Sequence, residues 1–164
     1  MLAYNKEFRV GHTFLLEPGR WVIKGNWLER NSPPIPLKGL TLVIWNRENW
    51  FSMATKIVFP NGERPDISLQ YRGRLHKGER QYTFLLQHNS LGQIEGEGWI
   101  CPDTIVQRYW VLGDSSADLR SLQRRSGFET LHRLNDDQYY LITGILYGHF
   151  LDSTIEANLE RQPR

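Results

Sequence analysis

Apolar and polar positions alternate with period two along most of this chain. The clearest run is 66–75. Ile67, Leu69, Tyr71, Gly73 and Leu75 fall on one face, and Asp66, Ser68, Gln70, Arg72 and Arg74 on the other. That is the pattern of a strand with one dry and one wet side. The run 80–88 repeats it, with Tyr82, Phe84 and Leu86 opposite Gln81, Thr83 and Gln87. A short Gly-containing connection, His76-Lys77-Gly78-Glu79, joins the two as a hairpin. The same reading gives strands near 20–30, 38–46, 50–59, 94–101, 104–112, 128–134, 138–147 and 150–161. Phe8, Val10, Phe14 and Leu16 add a candidate N-terminal strand.

One segment breaks the rhythm. Residues 113–127 read GDSSADLRSLQRRSG, in which Ser115 or Ser116 is a fitting N-cap and Gly127 a fitting stop. A short helix or an ordered loop is expected there. About ten short strands on tight connections, with no helix long enough for a crossover, predict an all-β fold. Sequential connections favour an antiparallel up-and-down barrel, whose closure removes exposed edges. A sandwich is the alternative.

Composition agrees. The 164 residues fit a single domain spanning 1–164, and the 6 Trp, 7 Tyr and 7 Phe suit pleated, half-buried surfaces. The formal net charge of +2 gives no argument for nucleic acid. Arg120, Arg124 and Arg125 form the one dense basic cluster, which reads as a solvated face. Cys101 is the only cysteine, so no intrachain disulfide is expected, and no apolar run is long enough for a membrane-spanning helix. A soluble, cytoplasmic protein is the expectation. The sequence leaves the oligomeric state open and names no cofactor.

The first long strand carries Gly19-Arg20-Trp21 and then Gly25-Asn26-Trp27. A Gly-x-Trp motif opening the first strand resembles the lipocalins and the wider calycin group, including its small intracellular members. The resemblance implies that the Trp packs at the closed end of the barrel beneath an Arg from the last strand. Arg161 is the matching position, and a guanidinium over an indole is a cation–π contact. Gly19, Trp21, Gly25, Trp27 and Arg161 are thus the expected structural set. The stretch Gln107-Arg108-Tyr109-Trp110-Val111 is similar to the phycobiliprotein lyases, another intracellular calycin branch, although the 40 or so residues after 113–127 fit that branch poorly.

Catalytic signals are weak. There is no Gly-x-Ser-x-Gly elbow, and no local histidine motif marks Cys101 as a nucleophile. His12, His76, His88, His132 and His149 lie far apart, with no metal-ligand spacing. No catalytic or metal residue is expected. Binding signals are better. Along 104–112 the even face carries Val106, Arg108, Trp110 and Leu112, and the odd face Ile105, Gln107, Tyr109 and Val111. If the even face points inwards, Arg108 is a buried cation that must pair with an internal Glu95 or Glu97 or with an acidic ligand. If it points outwards, Arg108 is a surface residue. Trp45, Tyr71, Tyr82, Trp110 and Tyr140 are candidate cavity walls. His88 extends the face of Tyr82, Phe84 and Leu86, and His132 that of Phe128 and Leu134. The resulting expectation is non-catalytic binding of a small hydrophobic or amphipathic ligand, such as a lipid, haem, bilin or other pigment. A chromophore lyase or isomerase, and a filled barrel serving interaction, are the alternatives.

Overall fold

The computed structural model describes residues 11–46, 49–76, 80–112 and 124–163. It contains ten strands: β1 Gly19–Glu29, β2 Ile35–Trp45, β3 Trp50–Val58, β4 Ile67–Leu75 and β5 Gln81–His88, then β6 Gly92–Ile100, β7 Thr104–Val111, β8 Arg125–Asn135, β9 Gln138–Tyr147 and β10 Phe150–Arg161. Each pairs antiparallel with its sequence neighbour, and β1 pairs with β10, so the meander closes into a barrel. No helix occurs among the described residues, and none is long and apolar enough to cross a membrane.

Two expectations are corrected. β8 starts at Arg125, so residues 125–127 are strand and not the end of a helix. Residues 113–123 of that segment lie outside the described residues, as do Phe8 and Val10. Phe14 and Leu16 form no strand. They belong to a turn at residues 14–16 that plugs one end of the barrel. Alternating side chains alone do not make a strand when every neighbouring edge is already paired.

The plug is tied down by polar contacts as well as burial. His12 Nε2 lies 2.6 Å from the Cys101 carbonyl, and His12 Nδ1 lies 2.8 Å from the Tyr139 hydroxyl. A carbonyl only accepts, so Nε2 carries the proton and Nδ1 accepts from Tyr139. Burial holds the His12 pKa below its ordinary value, which keeps this neutral tautomer in place. Leu15 sits in the left-handed region at φ 67°, costly for a branched residue. Its burial and the bond from Trp45 Nε1 to its carbonyl, 2.6 Å, hold it there.

Trp21 is fully buried in this end, edge-on to Phe14 and Tyr139. Arg161 covers it, with Cζ 5.8 Å from the ring centre, and pairs with Glu17 at 3.1 Å. Gly19 stands beside the Trp21 indole nitrogen, where a Cβ would come within 3.2 Å. Trp27, two residues past Gly25, lies towards the opposite, open end. Arg64 stacks on it at 4.1 Å and also pairs with Glu29.

Aromatic side chains fill the β3–β7 half of the interior. Tyr82 lies so close over Gly98 that a Cβ there would meet its ring at 2.0 Å. Gly96 does the same for Phe84. The glycines of Gly96-Glu97-Gly98 therefore make room for rings, the close approach that glycine in a strand usually marks.

Candidate functional site

The inward face of β7 is the odd one. Ile105, Gln107, Tyr109 and Val111 are buried, while Arg108 is exposed. Arg108 is therefore not an interior anchor. It pairs on the outer surface with Glu97 at 2.9 Å and lies 5.7 Å from the Trp110 ring. Trp110 shares that outer face. His132 is exposed and bonds Thr104 at 3.1 Å, also outside. Tyr140 lies outside too, with its hydroxyl pKa raised chiefly by its bond to Glu156. These four positions are removed from the set of cavity walls. Both faces of β7 are apolar enough to be buried, so alternation alone did not choose between them. Arg108→Met is expected to change stability by less than about 1 kcal/mol, as for exposed ion pairs, and to leave ligand binding unchanged. Thermal melts and titration of both proteins check this.

Trp45 packs on Phe51 and bonds the plug, so it closes the barrel and does not line the cavity. Tyr71, Tyr82 and His88 do point inwards. Tyr71 and His88 line an interior cavity of about 80 Å³, together with Ile23, Met53, Leu86 and Leu141 among other apolar walls. A water takes roughly 10–15 Å³ on the same measure, so a ligand fragment of several heavy atoms fits.

The most informative wall residue is one that the apolar pattern does not mark. Glu129 on β8 lines this cavity, half-buried and keeping surface towards the empty space. Gln107 Nε2 donates to its Oε2 at 2.7 Å, and the Tyr82 hydroxyl donates to Gln107 Oε1 at 2.6 Å. The amide of Gln107 is thus oriented by both neighbours. No Lys or Arg lines the cavity among the described residues. Burial without a counter-charge pushes the Glu129 carboxyl up to about 7, against the opposing effect of the Gln107 bond. Burial likewise pushes the Tyr71, Tyr82 and Tyr109 hydroxyls up, so all three stay neutral. The cavity is an apolar pocket with one carboxyl group in its wall.

It opens at Trp27, Ile67, His88 and Ile145 into a wider mouth of about 560 Å³. Arg64, Asp66, Ser90, Arg125, Asp152 and Ser153 stand around that mouth. Among the described residues no group of three or more His, Cys, Asp or Glu side chains is placed to hold a metal ion. Cys101 is exposed, at the plugged end.

No protein-family model matches the chain, and no curated protein matches it. Solved structures do. Rv2717c from M. tuberculosis superposes with a TM-score of 0.66 at 14% identity, over 89% of this chain and 92% of that one. The S-type phycobiliprotein lyase CPES from Guillardia theta superposes with a TM-score of 0.60 at 12% identity, over 90% and 89%. With the closed ten-strand meander, these likenesses make the fold calycin-like.

Proposed function

We propose that this barrel binds a small amphipathic ligand, without transforming it, and that Glu129 receives a hydrogen-bond-donating group of that ligand inside the cavity. The observation that carries this reading is the Glu129 carboxyl itself, enclosed by apolar walls with no cation beside it. A filled structural core gains little from such a group, because burying a carboxyl is costly and the neutral Gln107 amide is the one hydrogen-bond partner it shows among the described residues. A ligand N–H or ammonium supplies a second partner beside Gln107, and the surrounding apolar surface supplies affinity. The expectation of an acidic ligand held by Arg108 is replaced by this opposite preference deep in the barrel.

Of the ligand classes the sequence suggests, a haem fits least. The interior cavity is too small for a macrocycle. His88, the one histidine lining it among the described residues, accepts hydrogen bonds from Ser90 N and Leu91 N at Nδ1, both at 3.1 Å. Nε2 then carries the ring proton and offers no lone pair to iron. A lipid, a bilin or another open-chain pigment can place one end inside and the remainder in the mouth.

The test uses 3-butylindole and its oxygen isostere 3-butylbenzofuran. The indole is expected to bind about tenfold more tightly, the usual effect of one hydrogen bond to a buried polar group. Glu129→Met should remove the difference. Equal affinities of the unaltered protein for the two probes would sink the reading. Native mass spectrometry of freshly purified protein, with organic extraction, then identifies the natural ligand.

Two observations favour a second reading, a chromophore lyase or isomerase. A carboxyl poised near pH 7 suits a general acid or base, and one structural neighbour is a phycobiliprotein lyase. A free bilin whose absorbance changes chemically with the unaltered protein, and not with Glu129→Gln, would select it.

A further inference from the structure

We propose that the mouth of the barrel holds a second subsite, which takes a carbonyl or carboxylate oxygen at the other end of the same ligand. The proposal rests on the ligand-binding reading above and adds the chemistry of the distal group. Three hydrogen-bond donors stand around the mouth, two of them buried without partners among the described residues. Ser153 is 3% exposed, and its Oγ is buried with no hydrogen-bond partner. Arg64 Nε is buried and unpartnered too, although its Nη1 pairs with Glu29. The third is His88 Nε2. With Nδ1 taken up by Ser90 and Leu91, the imidazole must present N–H from its other nitrogen, and its ring lines both the cavity and the mouth.

Local structure explains how these donors come together. The register of β10 against β9 slips between Leu151 and Ser153, which leaves Asp152 as the extra residue of a bulge. After the slip Ser153 continues the inward face of Ile155, Ala157 and Leu159. Arg64 is held by the Trp27 ring at 4.1 Å. His88 ends β5, and its side chain is fixed by the turn that follows it.

Buried donors without acceptors are uncommon in folded proteins, and two at one opening, beside the N–H of His88, point to something that accepts from them. The acids nearby do not serve. Glu29 is paired with Arg64, Asp66 lies 3.8 Å from Lys56, and Asp152 is exposed in the bulge. Arg125, the other cation at the mouth, lies 5.2 Å from the Tyr147 ring. With charges of both signs around it, the mouth selects an acceptor oxygen through directed donors and not through net charge. The ligand is therefore two-ended, with a donor group against Glu129 and an acceptor group against Ser153, Arg64 and His88.

Two independent measurements test this on the full chain. In the first, sodium acetate and acetamide are titrated while the His88 ring nitrogens and the Ser153 amide are followed by nuclear magnetic resonance. These molecules carry no apolar tail, so they report on the mouth alone. Saturable shifts at both residues, weakened about tenfold or more in Ser153→Ala or Arg64→Gln, are expected. The response to acetamide distinguishes a carbonyl from a carboxylate site. In the second, indole-3-butyrate is compared with 3-butylindole, with about a tenfold preference for the butyrate expected. The preference should disappear in Ser153→Ala, while 3-butylindole affinity stays unchanged. Saturable acetate or acetamide shifts with no indole binding would uphold the mouth and overturn the Glu129 reading. Binding of 3-butylindole with no preference for the butyrate, and no saturable shifts, would overturn the mouth subsite alone. Absence of every effect overturns both.

Discussion

Replacing Glu129 by Gln is expected to raise the melting temperature by roughly 6–12 °C at pH 8 and to leave it almost unchanged at pH 4. The carboxyl is raised from 4.5 to about 7 in the folded chain. Near pH 4 it is largely protonated both folded and unfolded, so the substitution changes little. As the pH rises, the unfolded chain releases its proton first and the folded chain resists. Stability therefore falls between about 4.5 and 7. Above that range the loss levels off at about 3 kcal/mol, from roughly 1.4 kcal/mol for each unit of displacement. Gln keeps an oxygen for the bond from Gln107 and never ionises, so it escapes the loss. The cavity has room for water to meet its extra donors. The quantity to measure is the difference between the two pH–stability curves, because groups common to both cancel. Parallel curves from pH 4 to pH 8 would show that the carboxyl is not enclosed as described. A ligand N–H donor should shrink the gap at pH 8, since it relieves the ionised form of the unsubstituted protein and gains less from the amide.

The strands were legible in the sequence because most carry one clean apolar face. β4 and β5 alternate along their whole lengths, and the structure places them within a residue of the expected bounds. β8 hid Glu129 because its faces are mixed. Phe128, His132 and Leu134 look like a continuous inner face, yet Gly127, Glu129 and Leu131 are the residues turned inwards. Phe128 is outside because it lies across Gly144, where a Cβ would meet its ring at 2.4 Å. An aromatic that covers a glycine on the outer wall carries the same hydrophobic signature as one in the core. A sequence clue did exist. Tyr109 faces Gly127 across the β7–β8 ladder, and a ring needs that glycine, which puts residues 127, 129 and 131 on the face of Tyr109. Using it requires the register, which only the pairing of the two strands supplies. The mouth donors were harder still to see, since the bulge that turns Ser153 inwards leaves no mark in the apolar pattern.

The second large effect is expected at the seam where the barrel closes. Gly25 on β1 pairs with Ala157 on β10 and Leu37 on β2. A Cβ at Gly25 would lie 2.0 Å from the Glu156 carbonyl oxygen and 2.6 Å from the Ala157 Cα. These are backbone atoms, so no rotamer change relieves the overlap, and the first and last strands must move apart. Gly25→Ala should therefore lower stability by about 4 kcal/mol or more, in the range of the severest single substitutions. The effect is amplified by closure, because loosening one seam exposes two sheet edges at once. Gly62 provides the control. It has φ 70° in a turn, and a Cβ there would meet nothing within 4 Å, so Gly62→Ala faces only the backbone penalty. That penalty is roughly 1–2 kcal/mol. Denaturant unfolding followed by tryptophan fluorescence reads both, since Trp21 and Trp27 flank the seam on β1. Similar losses for the two substitutions would mean that β10 does not run against Gly25, and that the chain ends do not close the barrel as the register requires.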